Sequence, residues 1–495
     1  MARVRTRPSN RSPIITRRHW LAGAAACLTA IALPARGRAQ PFQAETASDG
    51  FRVLRARPGT VRLRGPNETP TPIWGYDGLS PGPTLRVTQG EQLKVRVTNE
   101  LQQPTVVHWH GLRLPNAMDG VPHLTQMPIE LGQSFDYSFT PRDAGTFWYH
   151  SHFLSSEQVE RGLYGVLVVD ERAPVEIDRD VVLVLDDWRL MNDGAIQPSF
   201  GNFHDAHMMG RIGQYITLNS EDMLDLPVKA NERLRLRLVN AANARVFRLR
   251  IAQHTARIMA ADGQPCPPFV VPDGVLRLAP GNRVDLFLDA TLTPGSQAPI
   301  LVDDLRGGEL EIGRVVYDKG APVRATALPE PKPLPDNPLP EQLDLANAFR
   351  LDLPLDGGGM RMMMDGGGGG MMGGGMGGTG FRGHGLAPQQ RIWALAGLST
   401  SGHEGPPLFR VKQGQTVVLT LANRTAFPHA MHVHGHHFRV LDGAGWKPYW
   451  LDTVLVDNDR TEQIAFVADN PGKWMIHCHM LEHQETGMAT WFEVT

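Results

Sequence analysis

Residues 85–99 read LRVTQGEQLKVRVTN, which is the first copy of a unit that occurs three times in the chain. Apolar and polar residues alternate on both sides of a turn, which is the pattern of two half-buried β-strands. Two further stretches repeat it, LPVKANERLRLRLVN at 226–240 and FRVKQGQTVVLTLAN at 409–423, and each copy ends in Asn. Three copies of one strand–turn–strand unit predict three related all-β domains, each a sandwich or a barrel.

The spacing of the copies predicts how the chain is divided. We expect the first domain over residues 41–172, the second over 173–320 and the third over 340–495. Residues 321–342 are rich in proline and predict a linker that crosses the surface. Residues 356–385, inside the third domain, are dominated by Gly and Met. So much Gly cannot bury a core, and we therefore expect a mobile insertion there.

Four His-x-His pairs follow the first and third copies of the unit. The first and third pairs begin nine residues after the Asn that ends their copy, whereas the middle copy has Leu249 at that distance. Alternate residues of a strand share a face, so both imidazoles of a pair should point the same way. If the first and third domains pack face to face, eight imidazoles converge, which suits about three copper ions. The pairs are His108/His110, His150/His152, His432/His434 and His477/His479.

The fourth pair encloses Cys478, in the stretch HCHMLEHQETGM. In a strand, this thiol points away from the two flanking imidazoles, so a metal that it held would be joined through the backbone to a second metal site. Cys with two His and a long axial Met is the blue-copper arrangement. Cys478, His483 and Met488 supply three of these ligands, and His429 can supply the fourth. A structural zinc site is the alternative, but it usually needs paired cysteines at short spacing, and the sequence has none.

These motifs resemble those of the three-domain, laccase-like multicopper oxidases, from about residue 73 to the C-terminus. They are HWHG at 108–111, HSH at 150–152, HAMHVH at 429–434 and HCH at 477–479. The resemblance implies three cupredoxin-like Greek-key β-barrels and four copper ions per chain, with no copper ligand in the middle domain. It implies type 1 ligands His429, Cys478, His483 and Met488, type 2 ligands His108 and His432, and type 3 ligands His110, His150, His152, His434, His477 and His479.

The resemblance also implies the reaction, an oxidation that uses O2 as the electron acceptor. Substrate gives one electron at a time to the type 1 copper, Cys478 passes it to His477 or His479, and four electrons reduce O2 to two waters. Four protons are needed as well, and Asp119 stands where the family has an acid. The alternative is a turn residue beside a glycine. In the branch that resembles copper-efflux oxidases, a Glu usually follows the last type 1 histidine, and here that residue is Gln484.

The reducing substrate is less constrained by the sequence. Copper-efflux oxidases carry a Met-rich segment over the type 1 site, and the insertion resembles it in position and composition. Thioethers select Cu(I), so its methionines are candidates for Cu(I) recruitment: Met360, Met362, Met363, Met364, Met371, Met372 and Met376. However, Thr425 and Phe427 stand just before His429, and a Phe there suits an aromatic substrate. We therefore expect oxidation of Cu(I), of small phenols or of both, in copper tolerance. A general laccase and a non-enzymatic copper-storage or envelope protein are the alternatives.

The remaining histidines and methionines receive weaker interpretations. A second soft cluster in the middle domain is interpreted as incidental residues of a mobile loop; it consists of His204, His207, Met208 and Met209. His436 and His437 are interpreted as strand residues rather than ligands. Four further histidines stand alone and receive no role: His123, His254, His384 and His403.

The N-terminus predicts export. Six arginines precede an apolar stretch from Leu21 to Leu33 that is too short to span a bilayer. Small residues predict cleavage near Ala39, and TRRHWL at 16–21 resembles a twin-arginine signal. We therefore expect residues 1–39 to be a signal peptide, the twin-arginine export machinery to be a partner, and the mature protein to be periplasmic. An ordinary signal peptide is the alternative.

Charge and cysteine content limit the other partners. Loss of residues 1–39 removes eight Arg and no acidic residue, which moves the formal charge from −2 to −10. An acidic mature protein argues against nucleic acid as a partner. No later stretch predicts a transmembrane helix, so we expect no stable membrane insertion. The three cysteines are Cys27, Cys266 and Cys478, and they predict no disulfide framework. We expect a monomer.

Overall fold

The computed structural model describes residues 45–340, 342–358, 391–442 and 445–495. The predicted signal peptide with Cys27, the Met-rich insertion from residue 359 onward and His384 lie outside the described residues. The described chain is almost entirely β-structure, arranged as six sheets that form three barrels. No helix in this part of the chain has the length and apolar character needed to cross a bilayer.

The first barrel contains nine strands and one helix, α1. The strands are β1 (Glu45–Thr46), β2 (Arg52–Val61), β3 (Thr71–Tyr76), β4 (Leu85–Thr88), β5 (Leu93–Asn99), β6 (Val107–His110), β7 (Ser134–Phe139), β8 (Gly145–Ser151) and β9 (Tyr164–Asp170). Helix α1 (Ser155–Glu160) lies between β8 and β9, and a 3-10 turn spans Asn116–Met118.

The middle barrel contains eleven strands and helix α2. The strands are β10 (Arg179–Trp188), β11 (Tyr215–Leu218), β12 (Leu224–Val228), β13 (Arg233–Asn240), β14 (Phe247–Ile251), β15 (Ala256–Ala261), β16 (Gln264–Val270), β17 (Leu276–Leu278), β18 (Arg283–Asp289), β19 (Gln297–Asp303) and β20 (Glu309–Tyr317). Helix α2 (Phe203–His207) precedes β11, and a 3-10 turn spans Pro272–Gly274.

The third barrel contains twelve strands and helix α3. The strands are β21 (Phe349–Gly357), β22 (Trp393–Leu395), β23 (Thr400–Ser401), β24 (Arg410–Val411), β25 (Thr416–Asn423), β26 (His429–Val433), β27 (Arg439–Asp442), β28 (Gly445–Trp446), β29 (Thr453–Val456), β30 (Thr461–Val467), β31 (Gly472–Cys478) and β32 (Met488–Val494). Helix α3 (Leu481–Glu485) connects the last two strands.

The three barrels share one pairing scheme, and the repeated unit forms its centre. The first strand of the unit pairs in parallel with the last strand of its barrel, as in β4 with β9, β12 with β20 and β24 with β32. The second strand pairs in parallel with the first long strand of its barrel, as in β5 with β2, β13 with β10 and β25 with β21. The unit therefore carries the chain from one sheet to the other in each barrel, and the predicted all-β fold of three cupredoxin-like domains is confirmed.

The Asn that ends each copy is held in the same way in all three barrels, and nine residues after it stand His108, Leu249 and His432. Asn99, Asn240 and Asn423 are all buried. Each donates its side-chain amide to main-chain carbonyl oxygens at 2.7–3.1 Å and accepts from the backbone amide two residues later at 2.9–3.0 Å. A buried polar side chain of this kind fixes the backbone geometry around it, because leaving a buried hydrogen-bonding group unpaired costs free energy. These bonds fix the loop that leads into β6, β14 and β26.

The cores show how the barrels are joined. Buried apolar side chains of the first and third barrels form one continuous cluster, which includes Trp109 and Trp474. The middle barrel has a separate core around Leu236 and Leu286. This arrangement brings β6 and β8 of the first barrel close to β26 and β31 of the third, which are the strands that carry the histidine pairs.

Candidate metal centres

Three ligand atoms meet where β26 and β31 run side by side. Met431 pairs with Cys478 across the two strands, so His429, two residues before Met431, lies on the same face as the thiol. Cys478 Sγ lies 3.5 Å from His429 Nδ1 and 3.8 Å from His483 Nδ1, and these two nitrogens are 3.1 Å apart. All three side chains are fully buried, as is Met488 at the start of β32. One thiol with two imidazoles is the donor set of blue copper.

The outer nitrogen of each of these imidazoles is already hydrogen-bonded. His429 Nε2 lies 2.8 Å from the Thr425 hydroxyl, and His483 Nε2 donates to the carbonyl oxygen of Met208 at 2.9 Å. Both Nδ1 atoms are therefore left to face Cys478. Burial lowers the pKa of His483 to about 4 and raises the pKa of the Cys478 thiol to about 12. A bound cation would favour the thiolate, because metal ligation requires the deprotonated form.

Phe427 does not line a substrate site, contrary to the sequence-based expectation. Its ring is only 6% exposed and makes an edge contact with Trp393. Thr425 is buried as well, and its hydroxyl donates to Asn423 or to the carbonyl oxygen of Phe427. The two residues belong to the core that supports His429, so the argument for an aromatic substrate at this point is wrong.

The eight histidines of the four pairs converge between the first and third barrels. His108 lies opposite His150 in the first barrel, and His432 lies opposite His477 in the third. Across the junction, the rings of His110 and His432 stack at 3.8 Å between centroids, and those of His108 and His434 at 3.9 Å. The corresponding positions of the middle barrel are Leu249 and Val302, which explains why it contributes no imidazole.

Ligand atoms of the imidazoles come within 4.8 Å of one another in three sets, namely His152/His434/His477, His108/His432/His434 and His108/His110/His150. His434 Nε2 lies 3.0 Å from His477 Nε2, and His152 Nε2 lies 3.5 Å from the same atom. The rings of His110, His150 and His479 have centroids 4.9–5.7 Å apart. The ring centroids of His108 and His432 are 5.9 Å apart.

Three of the four pairs do not lie wholly within a strand, contrary to expectation. Strands β8, β26 and β31 end at Ser151, Val433 and Cys478, so His152, His434 and His479 stand just beyond them. Single main-chain bonds continue the extended path, from His434 N to Met475 O at 2.9 Å and from His479 N to Ala430 O at 2.6 Å. The second imidazole of each of these pairs therefore still reaches the junction.

The donor set fits copper. Six buried ring nitrogens in this cluster have no hydrogen-bond partner among the described residues: His108 Nε2, His110 Nδ1, His150 Nε2, His432 Nε2 and both nitrogens of His479. Buried polar atoms are rarely left unpaired, so these lone pairs call for a cation. The opposite nitrogens of His108 and His432 are held by the carbonyl oxygens of Asp119 and Asp452 at 2.7 and 2.9 Å. Burial also holds the pKa of His150 and His479 well below the usual range, so they are neutral donors.

Two buried carboxylates flank the cluster in equivalent ways. Asp119 Oδ2 lies 2.9 Å from His434 Nδ1, and Asp452 Oδ1 lies 3.2 Å from His110 Nε2. Each acid therefore holds one histidine through its backbone carbonyl and another through its carboxylate. Asp119 was expected near the cluster, and Gly120 after it makes the close turn possible, because a Cβ there would meet the carbonyl oxygen of Val107 at 1.8 Å. Sequence reasoning missed Asp452, although an Asp directly before the apolar strand β29 was a usable signal.

Models of the multicopper oxidase family match residues 60–174, 179–298 and 386–495 of the chain. The crystal structure of a multi-copper oxidase from Pseudomonas thermotolerans is 34% identical, over 91% of this chain and 100% of that one, with a TM-score of 0.77. The chain belongs to the multicopper oxidase family. It is also 30% identical to Laccase-2 of Fomitopsis schrenkii, over 83% of this chain and 84% of that protein, and 25% identical to Copper resistance protein A of Escherichia coli, over 83% and 87%.

As a multicopper oxidase, the protein is a copper-dependent oxidoreductase that couples substrate oxidation to the reduction of O2. Its copper comprises a type 1 centre and a trinuclear cluster. The Cys-containing trio and the eight-histidine cluster described above are the groups of side chains that fit these two centres. They are connected by the backbone of three consecutive residues, His477, Cys478 and His479.

The acids of helix α3 do not contact the histidine cluster of this oxidase. Glu482 accepts hydrogen bonds from Ser156 Oγ at 2.7 Å and from Arg211 N at 3.0 Å, and Glu485 accepts from Ser156 N at 2.8 Å. Gln484 is buried, and its Oε1 has no partner among the described residues. The two glutamates therefore join α3 to the first and middle barrels, and neither replaces the acid that Gln484 lacks.

The middle barrel supplies one cation to the trinuclear side of the oxidase. Arg283 in β18 is fully buried and donates to both carboxylate oxygens of Asp452, at 2.5 and 2.9 Å. It also donates to the carbonyl oxygens of Asp262 and Thr146 at 3.0 and 3.3 Å. Burial opposes the ionisation of Asp452, but Arg283 and His110 outweigh it and hold the pKa of this carboxyl well below its usual range. No motif in the sequence marks Arg283.

The remaining histidines have structural partners. His436 and His437 follow the turn after β26 and are not strand residues, contrary to expectation. His436 packs near Trp474, and His437 Nε2 lies 3.2 Å from the carbonyl oxygen of Asp262. His254 contacts the Tyr317 hydroxyl at 2.7 Å. The rings of His123 and His403 lie 5.1 Å apart and are partly exposed.

The soft cluster of the middle barrel is not an incidental loop. His204 and His207 belong to α2, and Met208 and Met209 follow it directly. The helix is anchored at Asp205, which pairs with Arg189 at 2.6 Å. The expectation of a mobile loop was wrong. The segment contacts the third barrel, and such contacts between distant parts of the chain cannot be read from the local sequence.

Proposed function

We propose that this multicopper oxidase oxidises Cu(I) and serves in copper tolerance, with the type 1 copper held by His429, Cys478, His483 and Met488. The observation that carries the site assignment is the buried trio of donor atoms within 3.8 Å of one another. One-electron acceptance at the type 1 ion and four-electron reduction of O2 at the trinuclear cluster are what copper supplies when bound. The chain's own residues position these ions, connect them and deliver protons.

The remaining ligands are proposed from the resemblance of the histidine motifs, and the close approach of the His152, His434 and His477 ligand atoms supports one of the groups. His108 and His432 are the type 2 ligands, and the type 3 ligands form two groups, namely His110, His150 and His479 on one side and His152, His434 and His477 on the other. Cys478 is bonded through the main chain to His477 and His479, so the shortest covalent path from its sulfur would lead to one histidine of each type 3 group.

Asp119 is the proposed proton donor to the cluster. It is completely buried, and its Oδ1 has no hydrogen-bond partner among the described residues, while Oδ2 contacts His434. A carboxyl group in that position could supply protons when O2 is reduced, and its Oδ1, 3.4 Å from His108 Nδ1, is the oxygen at which it could take one up. Gln484 cannot do the same, because an amide does not exchange a proton in this way at neutral pH.

The surroundings of His483 favour Cu(I) over phenols as the reducing substrate. The imidazole edge that would face a substrate is hydrogen-bonded to a peptide carbonyl, and the Phe427 ring is buried. The methionines of the insertion support the same substrate from the sequence alone. One relative is a copper resistance protein by name, and another is a laccase, so phenol oxidation is the second candidate.

Oxygen uptake by the copper-loaded protein decides between the two substrates. We expect a lower KM and a higher kcat/KM for Cu(I) than for a simple dimethoxyphenol, and the opposite order would make the protein a general laccase. Cys478→Ser should abolish the blue absorption band and O2 uptake together. A Cys478→Ser protein that stayed blue would overturn the type 1 assignment. Absence of O2 uptake with either reductant would favour a copper-storage role.

The proposed setting is the periplasm, reached by the twin-arginine route as a monomer. The six arginines and the short apolar stretch of residues 1–39 support this proposal. Replacing Arg17 and Arg18 by Lys should keep the protein in the cytoplasm, which fractionation of expressing cells would detect. Unchanged export of that variant would favour an ordinary signal peptide.

A further inference from the structure

Two histidines that stand alone in the sequence meet at the surface, where a loop of the first barrel approaches a loop of the third. The rings of His123 and His403 lie 5.1 Å apart between centroids and are inclined to each other by 46°. His123 is exposed and His403 is partly exposed, so the pair is open to solvent. Neither histidine belongs to the imidazoles assigned to the copper centres above, so the pair needs an explanation of its own.

The loop that carries His123 is held by its own hydrogen bonds. The Thr125 hydroxyl accepts from Val121 N at 2.9 Å, and His123 N donates to the carbonyl oxygen of Gln126 at 2.7 Å. The backbone of His123 has a φ of +63°, in the left-handed region that residues other than glycine rarely adopt. The direction of this side chain is therefore imposed by the loop.

The loop that carries His403 is anchored to the last strand of the third barrel. The Thr400 hydroxyl donates to the carbonyl oxygen of Ala489 in β32. The same hydroxyl accepts from Gly402 N at 3.2 Å, directly before His403. These bonds fix the backbone from which the second imidazole projects.

Both loops pack on the same strand. Val121 of the first loop forms a small buried apolar cluster with Met475 and Ala489. In the second loop, a Cβ at Gly402 would meet Met475 Cε at 2.1 Å, so glycine is needed for this close approach. Met475 belongs to β31, the strand that ends at Cys478. The separation of the two imidazoles is therefore set by the packing of two loops on one strand.

This separation fits one shared metal ion. A metal–nitrogen bond of about 2.0 Å places the centroid of an imidazole about 3.1 Å from the ion. Two rings on one ion then have centroids about 4.4 Å apart when the bonds meet at a right angle, and about 5.1 Å apart at a tetrahedral angle. The 5.1 Å between the rings of His123 and His403 lies at the upper end of this range.

The charges around the pair also suit a cation. Burial, and then the neighbouring His123, lower the pKa of His403, so at neutral pH this imidazole is uncharged and keeps a lone pair. The carboxylate of Glu404 follows in the chain and pairs with Arg391 at 2.6 Å. Among the divalent ions of the first transition row, Cu(II) binds most tightly to such nitrogen donors.

We propose that His123 and His403 bind one Cu(II) ion at the surface, in addition to the copper of the type 1 centre and of the trinuclear cluster. Each imidazole gives one nitrogen, and solvent completes the coordination. The ion links a loop of the first barrel to a loop of the third, beside the strand that ends at Cys478. It takes no part in electron transfer, so the site is expected with either reducing substrate.

Calorimetric titration of the copper-loaded protein with Cu(II) tests the site. The variants His123→Asn and His403→Gln each remove one imidazole, and Asn is chosen at position 123 because it tolerates a positive φ. His204→Gln is the matched control, since it removes an exposed histidine of the middle barrel. All variants should stay blue, because none of them changes a donor atom of the type 1 centre.

We expect each of the two single variants to bind this Cu(II) ion at least about tenfold more weakly, and the control to bind it as the parent does. The double variant should resemble the single ones, because one imidazole alone no longer chelates the ion. Parent-like Cu(II) binding by either single variant would overturn the proposal. Loss of one weak site in each single variant and of two in the double variant would also overturn it, since the histidines would then act independently.

A measurement on the parent protein covers the case in which a variant fails to fold. Crystals of the copper-loaded protein soaked with Cu(II) should show a copper anomalous-scattering peak between the rings of His123 and His403. The peak should lie about 2.0 Å from one nitrogen of each ring. Absence of a peak there, or a peak on one ring only, would overturn the shared site.

Discussion

Replacing Arg283 by Met tests whether the middle barrel controls the trinuclear side of the protein. The substitution keeps an unbranched apolar side chain and removes a buried guanidinium that makes five hydrogen bonds to Asp452, Asp262, Thr146 and Gly281. Removing one partner of a buried ion pair costs about 3–5 kcal/mol, because the other charge is left unpaired. For a cooperative unit of the size of one barrel, this corresponds to a fall of about 10 °C in the unfolding midpoint.

The expected effect on copper follows from the hydrogen bond between Asp452 and His110. An ionised Asp452 accepts from His110 Nε2, which leaves His110 Nδ1 as the lone-pair donor that faces the cluster. Without Arg283, burial favours the protonated carboxyl, and the tautomer of His110 is no longer fixed. We therefore expect Arg283→Met to lose copper from the trinuclear cluster. The type 1 centre should stay filled, because its donor atoms make no contact with Asp452.

Copper per chain, the type 2 electron paramagnetic resonance signal and the blue band would be measured on the same sample. Arg233→Met is the matched control, since Arg233 is equally buried in the middle barrel but pairs with Asp289, away from the histidines. The control should lose stability and keep all its copper. If Arg283→Met retained full copper and an unchanged type 2 signal, the proposed link from the middle barrel to His110 would be refuted.

Three further predictions concern single residues and pH. Asp119→Asn should slow O2 reduction by about 100-fold while the blue band and its rate of reduction stay unchanged; stopped-flow reoxidation would measure this, and an unchanged rate would make Asp119 a turn residue only. Asn240→Ala should lower the stability of the middle barrel by about 3 kcal/mol, since it loses three buried hydrogen bonds of about 1 kcal/mol each; thermal unfolding would test this, and a loss below about 1 kcal/mol would contradict the account of the repeat. Copper-free protein should lose stability as the pH falls from about 6.5 toward 4. Burial lowers the pKa of His436, His437 and His483 from 6.5 to about 4, so the unfolded chain binds protons at a higher pH than the folded chain does. Equal unfolding midpoints at pH 7 and pH 4.5 would speak against it.

The sequence alone was sufficient to predict the structural features that repeat along the chain. Strand alternation predicted the barrels, and the nine-residue spacing after Asn99 and Asn423 marked His108 and His432 as equivalent positions. The grouping of His429 with Cys478 was also predictable, because both lie on one face of neighbouring strands. These inferences rest on local periodicity, which a single sequence displays directly.

The features that sequence reasoning missed depend on contacts between distant parts of the chain. Arg283 and Asp452 are 169 positions apart, and Met208 and His483 are 275 apart. Neither pair follows a periodic pattern, and an arginine or a methionine has no motif that marks it as the neighbour of a metal ligand. Strand ends were also beyond reach, because His152, His434 and His479 lie just past the last residues of their strands, at the junction of two barrels.

The middle barrel has no predicted copper ligand, but its contacts with the other two barrels give it a role at both copper centres. A metal cluster whose ligands come from two barrels is distorted when one barrel shifts against the other. Arg283 opposes such sliding, since it contacts the first barrel at Thr146 and the third at Asp452. On the type 1 side, Arg211 of the middle barrel and Ser156 of the first both donate to Glu482 beside His483. The barrel that has Leu249 and Val302 at the histidine positions thus holds both copper centres from outside, and damage to it should change copper content before it changes the fold of the other two.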